Sequence, residues 1–185
     1  MNMDLVIRGR RSIRHFLPKA ISEETIREIV DLARLYASAA NLQPIKFIAA
    51  LSETLTDAIF PLLRWAAYLP DFQIPKEKQP TGYVILTTDA NRNTGFDTGA
   101  AATTLMLAAQ SRGLGSCALA SFDEKRLSGL LSVPEGRKIA IVIALGYPDQ
   151  DCAAVPFAGD VKYYIDDTGT FCVPRRSLDQ VLDIR

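Results

Sequence analysis

Residues 22–37, SEETIREIVDLARLYA, place Ile26, Ile29, Val30 and Ala33 three or four positions apart, the spacing of one apolar stripe on an α-helix. Ser22 stands where an N-cap belongs, Glu23 and Glu24 suit the positive end, and Ile21 with Ile26 has the spacing of a hydrophobic staple. Other stretches lack this period. IKFIAALS (45–52), apolar and partly β-branched, and YVILTT (83–88) predict buried strands, SCALA (116–120) a short strand and KIAIVIALGYP (138–148) a long apolar one. Between them, DTGAAATTLMLAAQSR (97–112) predicts a helix capped by Asp97 and stopped by Gly113, its small first half leaving room for a close neighbour. DEKRLSGLL predicts a helix capped by Asp123, and NMDLVIRG (2–9) a short helix with Leu5 and Val6 inward, ended by Gly9.

Residues 54–80 interrupt this regularity. TLTDAIFPLLRWAAYLP has helical periodicity broken by Pro61, and DFQIPKEKQPTG has the prolines and polar residues of a surface loop or lid. Near the C-terminal end, KYYIDDTGTFCVP predicts a hairpin turning at Asp167, Thr168 and Gly169, followed by a basic turn and a short amphipathic helix over residues 175–185. No repeat or low-complexity tract divides the chain, so residues 1–185 are expected to form one layered unit of helices and strands.

The 21 basic and 21 acidic residues cancel, which argues against a broad electrostatic footprint for nucleic acid or an anionic membrane. The first twenty residues lack the unbroken apolar stretch of a secretory signal and no run is long enough to span a membrane, so a cytoplasmic location is expected. Cys117, Cys152 and Cys172 form no CxxC pair, and His15 is the single histidine, so neither a structural zinc site nor a multi-histidine metal site is expected. If the chain is an enzyme, most of its chemistry is expected to come from a bound group rather than from its own side chains.

Against zero net charge, GRRSIRHF (9–16) concentrates Arg10, Arg11, Ser12 and Arg14. In an extended segment, Arg10, Ser12 and Arg14 share one side, which sets two guanidinium forks and a hydroxyl around a phosphate-sized anion. The alternative is a solvated basic turn. Arg175 and Arg176 form a second basic pair that the approach of terminal segments can bring near the first. The loop SAANLQP offers Ser38, Asn41 and Gln43 to a heteroaromatic ring edge or serves as a polar connection. GLGSCALASFD (113–123) lacks both the GxGxxG pattern and a P-loop lysine, leaving the backbone amides of Leu119 and Ala120 as candidate donors.

In order and spacing, RRSIRHF, SAANLQP, DTGAAATTLMLAAQSRGLGSCALASFD and ALGYP resemble the nitroreductase family of flavoproteins along almost the whole chain. The resemblance implies an α+β fold, a three-layer α/β/α sandwich on a central mixed, mainly antiparallel sheet, built as an intertwined homodimer with FMN at the subunit interface. It implies hydride transfer from NADH or NADPH to the flavin and ping-pong reduction of a small-molecule acceptor such as a nitroaromatic or quinone. Specialised relatives use the flavin for reductive dehalogenation or flavin breakdown, and a flavin-binding module with little turnover is a further alternative.

Carried over by motif, Arg10, Ser12 and Arg14, with Arg11 beside them, fall on the phosphate and ribityl contacts, and Arg175 or Arg176 on the C-terminal contact to the same phosphate. Ser38, Asn41 and Gln43 fall on the loop that reaches the flavin from the other subunit. Leu119, Ala120 and Ser121 fall on the segment whose amide faces the flavin N5. This chain departs from the family at Ala37-Ser38 in place of Pro-Ser and at Ile45 in place of a tryptophan, and its substrate-side excursion is shortened to residues 54–80.

Overall fold

A computed structural model describes residues 2–185. Its centre is a four-stranded sheet of order β1-β2-β4-β3, formed by Lys46–Ala50 (β1), Gly82–Asp89 (β2), Gly115–Leu119 (β3) and Arg137–Gly146 (β4). Every pairing in it is antiparallel, and the parallel element is the single bridge from Ser12 to Ser116 on the outer edge of β3. Successive side chains of a strand point to opposite faces, and the two central strands are apolar on both. Val84 and Leu86 of β2 and Ile143 and Leu145 of β4 face one core, while Tyr83, Ile85, Val142 and Ala144 face another.

Helices α2 (Glu23–Ala33) and α4 (Gly95–Gln110) cover the first face. Helices α3 (Glu53–Ile59) and α5 (Glu124–Leu130), with the 3₁₀ turn Phe60–Leu62, cover the second. The result is the expected three-layer sandwich. A bulge between Leu86 and Thr87 places Ala140 as an extra residue of β4. The extra residue reverses the alternation, so Ile139 joins the α3/α5 core and Ile141 packs against the α2/α4 core.

Local sequence explains most boundaries. Ser22, Ser52 and Asp123 cap α2, α3 and α5 by accepting from the amides of Thr25, Leu55 and Arg126. Gly113, at φ +74°, closes the end of α4. Two expectations are corrected. In α1 (Met3–Gly9) Val6 is buried but Leu5 is exposed, because one turn laid on α4 has a single inward position. Helix α4 begins at Gly95 behind Thr94, so Asp97 is a buried residue of its first turn and not its cap.

The C-terminal quarter forms a second sheet, of order β5-β7-β6, from Cys152–Pro156 (β5), Tyr164–Ile165 (β6) and Phe171–Arg175 (β7). The β6–β7 hairpin is the one expected, with Gly169 at φ +84° and Asp166 accepting from the amides of Thr168 and Thr170. Its parallel pairing with β5 is not visible in local sequence. After it, the expected amphipathic helix is one 3₁₀ turn, Leu178–Gln180, with Leu178, Val181, Leu182 and Ile184 exposed. No helix of the described residues is long and apolar enough to cross a membrane.

Candidate functional site

The arginine segment runs extended along the outer edge of β3. The Ile13 amide donates to the Ser116 carbonyl at 2.9 Å, and Gln150 accepts through Oε1 from the amides of Arg14 and His15 at 2.9 and 3.2 Å. Ile13 and Phe16 are buried and press on Gly115 and Gly146, fixing the segment's height above the sheet. Gln150 was not foreseen, since nothing in YPDQD marks it as a partner for residues 136 positions away.

Four guanidiniums gather there without a carboxylate. Among the described residues, Arg10, Arg11, Arg14 and Arg175 have no acidic partner within 4 Å, whereas nine other basic residues do. Burial, with Arg11 and Arg175 close by, holds the Arg10 guanidinium below its ordinary pKa. Arg175 is therefore near Arg10, while Arg176 turns its guanidinium over the Phe157 ring at 5.2 Å.

Arg14 is 8% exposed and makes one long bond, from Nη1 to the Ser12 carbonyl at 3.4 Å. The Nε atoms of Arg14 and Arg11 are buried and have no hydrogen-bond partner. A buried charged donor left unpaired is costly, and buried polar groups in folded proteins are paired almost without exception. Such a donor set, with no carboxylate beside it, has the chemistry to receive an anion. A phosphate fits this donor set, because its oxygens accept several charge-assisted bonds at once.

The β3 edge continues from this cluster. Because Ser116 turns its carbonyl outward to Ile13, the two-residue alternation of an antiparallel pair directs the backbone groups of Ala118 outward and those of Cys117 and Leu119 toward β4. Of the two amides expected to serve as donors, that of Ala120, one residue beyond the strand, has no backbone hydrogen-bond partner among the described residues. Leu119 is committed to the ladder and its side chain is buried in the core. Ser121 offers its carbonyl to the Arg64 amide at 3.0 Å.

Ser38, Asn41 and Gln43 lie elsewhere. Their loop precedes β1, whose Lys46 pairs with Thr87 near the far end of β2. Ala40, Asn41 and Gln43 all have left-handed φ, at 48°, 53° and 48°. That conformation is uncommon outside glycine, and internal bonds hold it. Ser38 Oγ accepts from the Gln43 amide at 3.0 Å, Gln43 Nε2 donates to the Asn41 carbonyl at 3.3 Å, and Asp97 accepts from the Ala39 amide at 3.0 Å. Arg137 pins the loop exit by donating to the Pro44 and Thr87 carbonyls. Neither Asp97 nor Arg137 carried a sequence signal for this task.

Arg137 and Gly146 are the two ends of β4, so the loop and the arginine cluster sit at opposite ends of the sheet, about 30 Å apart along the strand. One copy of the chain does not bring them together.

Comparisons with known proteins agree with this arrangement. The Nitroreductase family model matches residues 7–147. A 4-nitrobenzoate reductase of Pseudomonas putida is 29% identical over 81% of this chain and 87% of its own. A nitroreductase family protein from Streptococcus pneumoniae has the same fold, with a TM-score of 0.74 at 17% identity and 100% of both chains covered. An FMN-dependent nitroreductase from Clostridium difficile superposes with a TM-score of 0.67 at 22% identity, covering 79% of this chain and 87% of that one. With a family match that begins before the arginine segment and ends just beyond β4, the chain belongs to the nitroreductase family.

Proposed function

We propose that this protein is an FMN-dependent oxidoreductase that takes hydride from NADH or NADPH and reduces a small-molecule acceptor, of the nitroaromatic or quinone class, by a ping-pong mechanism. The observation that carries this reading is the cluster of Arg10, Arg11, Arg14 and Arg175, none of them paired with a carboxylate among the described residues, in which the buried Nε atoms of Arg11 and Arg14 have no protein acceptor. FMN, when bound, supplies the hydride acceptance and electron delivery for which the chain has no side chain of its own.

The chain's part is to bind and orient. Arg14, Arg10 and Arg175 hold the phosphate, with Ser12 beside them. The amide of Ala120, just past the end of β3, is a donor for the flavin ring, where it would stabilise negative charge. Ser38, Asn41 and Gln43 complete the ring site from a second copy, which supports a homodimer, because within one chain they sit at the far end of the sheet.

The test is a titration of the purified protein with FMN, followed by flavin fluorescence, and then stopped-flow mixing with NADH or NADPH. Saturable quenching and fast bleaching are expected. Absence of quenching would overturn the reading. Firm binding with negligible reduction would replace it with a flavin-binding module.

A further inference from the structure

We propose that Tyr163 is a positioning residue that holds the Arg14 guanidinium edge-on to the cofactor phosphate; this rests on the assignment of Arg14 to FMN. The Arg14 Cζ lies 4.5 Å from the centroid of the Tyr163 ring and 5.7 Å from that of Phe171. Stacking engages the face of a guanidinium and leaves its edge free, and hydrogen bonds to an anion are made at the edge. The buried, unpartnered Nε is on that edge. A guanidinium on a four-bond stem has many rotamers, and with a single 3.4 Å bond to Ser12 little besides the aromatic faces fixes its plane.

Tyr163 is itself tied down. Its hydroxyl accepts from the Tyr68 amide at 3.4 Å and the two rings lie 5.0 Å apart. A second ladder runs parallel to it. His15 stacks on Phe72 at 4.9 Å, Phe72 meets Phe171 edge-on at 5.2 Å, and His15 Nε2 is 3.1 Å from the Gln73 carbonyl. The segment 68–73 is thus fastened to both aromatic rings that cover Arg14, so the excursion on the substrate side and the phosphate anchor share one set of contacts.

The experiment measures dissociation constants for FMN and for riboflavin, which lacks the phosphate, by flavin fluorescence quenching. The unaltered protein is compared with Tyr163→Leu, Tyr163→Met, Tyr163→Phe, Arg14→Ala and the double variant Arg14→Ala/Tyr163→Leu. Tyr163→Leu is expected to weaken FMN roughly three- to thirtyfold, the range of a cation–π contact, with riboflavin unchanged. Tyr163→Met gives the same loss if the leucine variant does not fold. Tyr163→Phe, which keeps the ring face, retains the FMN affinity. In the Arg14→Ala background, Tyr163→Leu adds no further loss.

Equal weakening of FMN and riboflavin, loss in the phenylalanine variant, or additive loss in the double variant would each overturn the role of Tyr163. FMN preference preserved in both the leucine and methionine variants would do the same while leaving the phosphate site intact. Equal affinity of the unaltered protein for the two flavins would instead overturn the phosphate assignment beneath it.

Discussion

The ring of Phe16 lies directly against the backbone of Gly146: a Cβ on Gly146 would stand 2.6 Å from Phe16 Cδ1 and 2.9 Å from its Cβ. Gly115 is in the same relation to Ile13, at 2.8 Å from Cγ1. These two contacts set the distance between the arginine segment and the sheet. Gly146→Ala and Gly115→Ala should each destabilise by about 1–3 kcal/mol through overpacking of a close-packed contact. They should also weaken FMN binding, because the segment has to lift. Gly129→Ala, with nothing within 4 Å in helix α5, should stabilise by about 0.5–1 kcal/mol. Denaturant unfolding of the three variants measures this, and equal stability of all three would contradict it.

Arg14 carries the second prediction. Replacing it with alanine should weaken FMN binding by about 1.5–3 kcal/mol, the scale of a charge-assisted bond to phosphate. Riboflavin affinity should hardly change. A variant that loses both flavins to the same extent would show that Arg14 supports the fold and not the phosphate.

The separation of Gln43 from Arg14 by the length of β4 allows a complementation test. Arg14→Ala and Gln43→Ala should each impair both flavin sites of a homodimer. In a mixed dimer of the two variants, one site receives both defects and the other receives none. Coexpressed chains should therefore recover unaltered FMN affinity at half of the sites in mixed dimers, as read by titration. Light scattering should give the mass of two chains. A monomer that still holds FMN would be incompatible with a loop acting on its neighbour's site.

Asp166 links the C-terminal hairpin to pH. Hydrogen bonds from the Thr168 hydroxyl, the Thr170 amide and the Thr168 amide hold its carboxyl below the usual carboxylate range. A group whose pKa is depressed by folding stabilises above its unfolded value, near pH 4, and that contribution is lost as pH falls through the folded value. The β6–β7 turn should therefore loosen in acid. The amide shifts of Thr168 and Thr170, followed between about pH 6 and about pH 2, should titrate together, and Asp166→Asn should abolish the transition. Titration at or above the ordinary carboxylate value would contradict the turn's hydrogen bonding.

Several features were legible because their cause is local. A serine before an amphipathic run names an N-cap, as at Ser22, and an aspartate before DEKRLSGLL's helix does so at Asp123. The paired apolar faces of β2 and β4 follow from unbroken hydrophobic runs, which only a doubly covered sheet can bury. Asp97 misled for the same reason. It has the chemistry of a cap, but helix α4 starts three residues earlier, behind Thr94, and the carboxylate accepts from the Ala39 amide.

By itself, then, the sequence determined the helices and strands of the central sandwich, the layered class and the family, since caps, periods and ordered motifs are properties of neighbours along the chain, but not β5 or the C-terminal 3₁₀ turn. It also named the arginines as an excess of charge. Only the tertiary structure decided that Arg175 lies close to Arg10, that Arg14 is buried beneath Tyr163 with an unpaired Nε, and that the Ala120 amide has no backbone partner among the described residues. It alone put Gln43 at the opposite end of the sheet from Arg14. The physical reason is that a guanidinium's worth depends on desolvation and on which groups stand within a few ångströms, and those neighbours come from positions more than a hundred residues away.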